Sequence, residues 1–164
     1  MNRSKAAGQL VSGAVLLLSA VTLSACGDAL SPEEMAGTFE LTQVDGESPA
    51  QVVAVEQDTA GTDTTRTLEV VDGSISISSD SSVSLSVTGA LTTESGGSTD
   101  SNTNNAVVSG SLEGGDLVFS ADSIDLNSYP FAIAGTDASS SVITVDLSRG
   151  ESPFAVSINL RFAR

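Results

Sequence analysis

From residue 37 onward the chain alternates apolar and polar residues with a period of two, which is the pattern of half-buried β-strands. In "GTFELTQV" the side chains of Phe39 and Leu41 share one face, while threonine and glutamate occupy the other. "SISIS" and "VSLSV" repeat the pattern, with Leu85 among the apolar residues that face away from serine. About eight to ten short strands follow without a long amphipathic helix, so the sequence predicts an all-β, antiparallel meander. Such meanders form barrels or open β-sandwiches.

Three polar stretches are expected to separate strands. Asp45-Gly46 predicts a turn, and Asp72-Gly73 in "TLEVVDGSISIS" predicts a tight type I′ hairpin turn, because both positions accept positive φ angles. Residues 92–105, "TTESGGSTDSNTNN", contain no large aliphatic side chain. We therefore expect a flexible surface loop at the tip of a long hairpin.

The amino-terminal segment has the three parts of a secretory signal. Arg3 and Lys5 precede an apolar run over residues 10–23, and small residues follow. The run is shorter than the roughly 20 apolar residues of a membrane-spanning helix. We therefore expect a helical signal peptide.

The only cysteine of the chain, Cys26, follows directly after Leu23, Ser24 and Ala25. This sequence resembles the bacterial lipobox, in which an aliphatic residue and two small ones precede an obligatory cysteine. The resemblance implies that the Cys26 thiol carries diacylglycerol and that the signal is cut before it. An ordinary secretion signal is the alternative, and it would leave an unpaired thiol in a secreted protein.

The lipobox divides the chain into three parts. Residues 1–25 are the signal peptide, residues 26–36 are the lipidated cysteine and a short tether, and residues 37–164 are a single all-β domain. Ser31 and Glu34 form a capping-box pattern around Pro32, which predicts one helical turn at the end of the tether. Localisation in the bacterial cell envelope follows, with the membrane as partner through the lipid on Cys26. Gly27 is not the Asp that retains enteric lipoproteins at the inner membrane, so the outer membrane is expected in a Gram-negative cell.

Charge and composition exclude several functions. The net charge is −15, and residues 26–164 keep all 21 acidic residues but only four basic ones, all arginine. Nucleic-acid binding requires clustered basic side chains and is not expected. The chain has no histidine and no second cysteine, which removes the commonest general base, the thiol nucleophile and standard zinc ligands. We expect no cofactor and no enzymatic activity; a carboxylate-based hydrolase is the remaining enzymatic alternative.

One polar segment contains oxygen ligands at alternate positions, as the start of a calcium loop does: Asp100, Asn102 and Asn104. The glycine and the closing bidentate glutamate of such a loop are absent. The sequence therefore favours a solvated polar segment over a metal site.

"GTFELTQVDGESPAQVV" resembles the opening of lipocalin-like bacterial lipoproteins, in which a Gly-x-aromatic motif begins the first strand after a short helical turn. Gly37 and Phe39 occupy that motif. The resemblance implies a barrel of about eight strands and an arginine on the last strand lying across the aromatic ring. Arg161 lies on the last predicted strand, near the position of that arginine. The alternation of side chains along the strand, however, directs Arg161 away from the apolar face.

Two functions remain open for a monomeric, non-enzymatic envelope domain. A lipocalin-like barrel could hold one small apolar ligand. The inward residues expected to contact that ligand are Phe39, Leu85, Phe119 and Ile158. A structural or adhesive surface protein, its core filled by its own side chains, is the alternative.

Overall fold

The computed structural model describes residues 30–58, 63–150 and 156–164. The elements in chain order are α1 Pro32–Met35, β1 Gly37–Val44, β2 Gln51–Asp58, β3 Thr64–Ile77, β4 Ser82–Ser95, β5 Ser98–Glu113, β6 Asp116–Phe119, β7 Ser123–Leu126, β8 Tyr129–Ala138, β9 Val142–Arg149 and β10 Val156–Ala163. No helix within these described ranges is long and apolar enough to cross a membrane.

All ten strands belong to one antiparallel sheet that curls upon itself. Its order is β6-β5-β4-β3-β1-β10-β9-β8-β7, with β2 pairing only with β3. The prediction of an all-β antiparallel meander is therefore confirmed. A single continuous sheet is consistent with a lipocalin-like barrel and not with two facing sheets of an open sandwich.

The ten strands occupy eight positions around the sheet. β1 pairs with β3 at residues 74–77 and β2 pairs with β3 at residues 64–70, both antiparallel. They therefore run in the same direction as two halves of one bent strand. β6 and β7 are a second bent strand, because β6 pairs with β5 whereas β7 pairs with β8. Only residues 120–122 separate them, so the chain itself joins the two edges of the sheet.

Alternating side chains fill the concave side of the sheet with one apolar core. Phe39, Phe131 and Phe162 are the largest of its fully buried side chains. Leu30 and Met35 also contribute, with Met35 0% exposed, so the folded unit includes the helix before β1. Aliphatic residues provide the rest of the core.

The helical turn forms as its sequence predicts. The Ser31 hydroxyl accepts a hydrogen bond from the Glu34 backbone N–H at 3.2 Å, and the Ser31 N–H donates to the Glu34 carboxylate at 3.1 Å. These two bonds are a complete capping box. The bond from the Ser31 backbone lowers the pKa of Glu34.

The predicted turn at Asp72-Gly73 is wrong, because β3 runs unbroken from Thr64 to Ile77. A register shift between Val70 and Asp72 marks a β-bulge there. An added Cβ at Gly73 would lie 2.9 Å from the Ser86 carbonyl oxygen and 3.4 Å from the Phe162 ring. The glycine therefore serves close packing within a strand.

Residues 92–105 are also strands, which corrects the expectation of an irregular loop. Leu91 to Ser95 pair in continuous register with Ser98 to Asn102. Gly96 and Gly97 make the connecting turn, with φ of 55° and 82°. The prediction of a long hairpin tip was right, but its backbone is paired, since ladder hydrogen bonds require no apolar side chains.

Candidate functional site

Two surface openings lie at the seam between the two edges of the sheet. In the bent β6–β7 strand, β6 pairs with β5 but not with β8, and β7 pairs with β8 but not with β5. Two openings result, one between β6 and β8 and the other between β5 and β7. Their volumes are about 260 Å³ and 510 Å³ respectively.

The β6–β8 opening is lined by apolar side chains beside an acidic one. Leu117, Val118 and Phe119 contribute from β6, Ile133 contributes from β8, and Asp122 lies at the bend. Phe119 and Ile133 are half-buried and pack against the core, whereas Val118 is 44% exposed. An apolar group entering here would meet preformed apolar walls.

The β5–β7 opening combines an exposed strand edge with a few aliphatic side chains. Val107 and Val108 line it from β5, and Ile124 lines it from β7. Val108 and Ile124 are buried, but Val107 is 58% exposed. An exposed aliphatic side chain beside a strand edge that no described strand covers is unusual in natural proteins.

The four residues expected to contact a ligand do not line one common opening. Phe39, Leu85 and Ile158 are 0–1% exposed and pack among the other core side chains. Phe119 alone of the four lines one of the seam openings described above. Their contact with a ligand stays a prediction, and Phe119 is the position that a ligand could reach from solvent.

An arginine–aromatic pair closes one end of the barrel, and it involves Arg164 rather than Arg161. The Arg164 guanidinium carbon lies 4.7 Å from the centroid of the Phe39 ring. Its nitrogens donate to the carbonyls of Glu34, Met35 and Ala36, the last at 2.9 Å. Arg161 pairs with Gln43 and Thr144 on the outer face of the sheet, as its parity predicts.

A polar cluster that the sequence did not reveal lies where β2, β3, β8 and β9 meet. The Arg66 guanidinium is 3.2 Å from the Glu56 carboxylate, which also accepts a 3.3 Å hydrogen bond from the Tyr129 hydroxyl. The guanidinium of Arg149 lies 5.1 Å from the centroid of the Tyr129 ring. Two of the four arginines in residues 26–164 thus converge on the chain's single tyrosine.

The cluster changes the acidity of Tyr129. Burial raises the pKa of the Tyr129 hydroxyl, and the charge of Glu56 and its hydrogen bond raise that pKa further. Arg66 and Arg149 oppose the shift. The sequence offers only one signal for this cluster, namely that arginine is scarce in residues 26–164. That scarcity does not indicate that Arg66 lies near Tyr129, because the two residues are far apart in the chain.

Asn127, in the turn between β7 and β8, is a buried polar residue. Its Nδ2 donates to the Gly89 carbonyl at 2.7 Å, which ties this turn to β4. Its Oδ1 has no hydrogen-bond partner among the described residues. The side chain is 6% exposed, so the bond to Gly89 forms inside the barrel, where it is strong.

Asp100, Asn102 and Asn104 lie at alternate positions of β5, on one face and exposed. Asp100 and Asn104 are therefore about 13–14 Å apart along the strand, whereas two oxygens bound to one calcium ion are at most about 5 Å apart. Within the described part of the chain, no three His, Cys, Asp or Glu residues group as metal ligands. Cys26, the proposed lipidation site, lies outside the described residues.

Comparison of the chain with protein-family models, with curated proteins and with solved structures found no match.

Proposed function

We propose that the protein is a non-enzymatic, lipid-anchored β-domain of the bacterial cell envelope with a structural or adhesive role. The anchor rests on the sequence Leu23-Ser24-Ala25-Cys26 behind an apolar run. The role rests on one observation: the concave side of the sheet is filled by the protein's own side chains. The absence of histidine and of a second cysteine in the sequence supports a non-enzymatic role.

The filled core favours this role over that of an internal ligand carrier. Carriers built on eight-stranded barrels leave room for one small ligand inside. Here Phe39, Leu85 and Ile158, which point inward, are in contact with other core residues instead. The acidic domain would also be repelled by an anionic lipid surface and would stand away from it.

A second candidate function is the binding of a small apolar ligand at the β6–β8 opening. The observation that favours it is the half-buried ring of Phe119 beside Ile133 in an opening of about 260 Å³. Pockets for drug-sized ligands measure about 300–1,000 Å³. The opening would therefore hold one short chain or one ring rather than a large lipid.

Metabolic labelling with palmitate tests the anchor. The wild-type protein should incorporate label, and Cys26→Ser should not, because the acylated thiol is lost. The double variant Cys26→Ser/Ser79→Cys is the matched control, since it restores one cysteine at an exposed turn outside the lipobox. Labelling of Cys26→Ser at the wild-type level would overturn the proposed anchor.

Native mass spectrometry of residues 27–164, prepared without detergent, separates the two functions. We expect the mass of the protein alone and no uptake of fluorescent fatty acids. A bound apolar molecule that Phe119→Ala removes, and that Val52→Ala retains, would establish the second function instead. Val52 is the control because it is an exposed aliphatic residue on β2, outside the residues that line this opening.

A further inference from the structure

Among the described residues, no strand pairs with the outer edge of β5 over residues 98–108. Residues 98–109 pair with β4 on one side, whereas β6 covers only residues 110–113 on the other. The Ser109 carbonyl accepts a 2.8 Å hydrogen bond from the Ser120 N–H and therefore faces the seam. The Leu112 N–H donates to the Ser81 carbonyl and therefore faces β4. Odd-numbered residues of β5 thus direct their backbone groups toward the seam, and even-numbered residues direct theirs toward β4. The β4–β5 register is continuous, so the backbone groups of residues 103, 105 and 107 face the seam.

The edge of β5 has few of the side chains that normally prevent a strand edge from pairing with another chain. Natural edge strands carry charges, prolines or bulges. Residues 98–108 contain one charged residue, Asp100, and no proline. Val107 is 58% exposed, and the opening of about 510 Å³ beside it gives access to Val108 and Ile124.

The charge around the seam is of one sign. Residues 98–138, which span β5 to β8, contain six acidic residues and no basic residue. Asp122 lines the β6–β8 opening and Asp125 lines the β5–β7 opening, and both carboxylates are exposed. The two openings on either side of the bent β6–β7 strand therefore have apolar walls and an acidic rim.

We propose that the edge of β5 binds an extended peptide segment of a partner protein by β-strand addition, and that this segment alternates aliphatic and basic residues. Its backbone pairs with residues 103, 105 and 107, which gives affinity, and alternate side chains give specificity. Aliphatic side chains enter the β5–β7 opening, and basic side chains meet the acidic rim. A second copy of this chain is a poor occupant, because two chains of net charge −15 repel each other. The inference holds whether or not Cys26 is lipidated.

Val107→Pro is the decisive variant. It removes the Val107 N–H, which faces the seam, and leaves the β4–β5 hydrogen bonds intact. Val107→Ala is its matched control, since it removes the same exposed side chain but keeps the N–H. A second variant, Asp122→Asn/Asp125→Asn, lowers the charge of the rim without touching β5. Thermal melting of each variant establishes that it is folded.

The experiment uses full-length protein in a non-ionic detergent and an eight-residue peptide of alternating lysine and valine, with an alternating glutamate–valine peptide as control. We expect the basic peptide alone to bind and binding to weaken with salt. Amide hydrogen exchange at residues 103–108 should slow. Val107→Pro should weaken binding by at least about tenfold, the equivalent of one lost hydrogen bond of about 1.4 kcal/mol. Val107→Ala should stay within about threefold, and Asp122→Asn/Asp125→Asn should reduce the salt dependence.

Three results would overturn the inference. The first is absence of binding by the basic peptide to folded wild-type protein. The second is binding without slower exchange at residues 103–108, which would indicate loose charge attraction only. The third is self-association of the protein through β5 in place of peptide binding, detected by sedimentation and abolished by Val107→Pro.

Discussion

Arg164 covers the ring of Phe39 at a distance of 4.7 Å and joins the end of the chain to the start of its first strand. The same guanidinium donates to the Ala36 carbonyl at 2.9 Å and to the carbonyls of Met35 and Glu34. These carbonyls belong to the end of α1, where a cation is also favoured by the unpaired carbonyl groups of a helix C-terminus. One side chain therefore closes this end of the barrel.

Arg164→Gln should lower the free energy of unfolding by about 1–2 kcal/mol. The substitution removes charge-assisted hydrogen bonds and the cation–π contact at a partly solvated site. Arg161→Gln is the matched control and should change stability by less than about 0.5 kcal/mol, because Arg161 lies on the outer face of β10. Urea unfolding of both variants measures the difference, and equal stabilities would contradict a closing role for Arg164.

Gly73→Ala should lower the free energy of unfolding by about 1–3 kcal/mol through overpacking. The new Cβ would lie 2.9 Å from the Ser86 carbonyl oxygen, a backbone atom that cannot move without disturbing β4. Gly150→Ala is the control, because an added Cβ there meets no atom of the described residues within 4 Å. The prediction fails if both variants melt at the same temperature.

Shortening the β4–β5 hairpin should leave the domain folded, with a small loss of stability. Deletion of residues 92–95 together with residues 98–101 keeps the Gly96-Gly97 turn. It brings the turn next to Leu91 and Asn102, which already face each other across the ladder. The deleted residues bury little apolar area, but residues 92–94 pair with residues 65–67 of β3 and the Ser95 hydroxyl accepts a 3.0 Å hydrogen bond from Thr64. We therefore expect a loss of about 1–2 kcal/mol. A molten or aggregated product in circular dichroism would show that the hairpin supports the barrel.

Chelator should not change the melting temperature of the protein. Asp100, Asn102 and Asn104 are spaced along an extended strand, which does not bring their oxygens around one ion. Melting curves with EDTA and with added calcium test this directly. A calcium-dependent rise of several degrees that Asp100→Ala abolishes would establish a metal site on β5.

Tyr129 should ionise at a higher pH than an ordinary tyrosine, whose pKa is about 10. Its raised pKa means that the folded state holds the proton more tightly than the unfolded state. This stabilisation is complete below about pH 10 and is lost as the pH rises through the pKa of the folded protein. Phenolate absorbance reports the titration without overlap, because the chain has one tyrosine.

Two variants separate the causes of that shift. Glu56→Gln should lower the Tyr129 pKa toward its ordinary value, since it removes the negative charge that is 3.3 Å from the hydroxyl. Glu40→Gln, on the exposed face of β1, is the control and should leave the titration unchanged. An unaltered Tyr129 pKa in Glu56→Gln would leave burial as the only cause.

The strands could be predicted from sequence where one face is buried. The alternation around Ile75, Ile77, Val83 and Leu85 leaves only one face for the core, and all four side chains are buried. The same reasoning could not anticipate Gly73, because Asp-Gly is compatible with a turn and with a bulge, and only the approach of β4 selects the bulge.

The site was harder to predict, since its contacts join distant parts of the chain. Arg161 and Arg164 both lie near the end of β10, and parity shows only which of them faces outward. The choice of Arg164 depends on the position of α1, 129 residues earlier in the chain, to which it donates hydrogen bonds. The seam openings likewise depend on how β6 and β7 divide their pairing between β5 and β8, which no local pattern specifies.

The placement of β1 between two neighbours determines how the domain would bear a mechanical load. Tension applied through residues 30–36 passes along β1, which is hydrogen-bonded to β3 over its first half and to β10 over its second. The hydrogen bonds lie across the direction of pull, so several must shear together and cannot open one at a time. Arg164 transfers part of the same force to the end of β10. A domain pulled from this end would therefore resist extension until several of these hydrogen bonds break together.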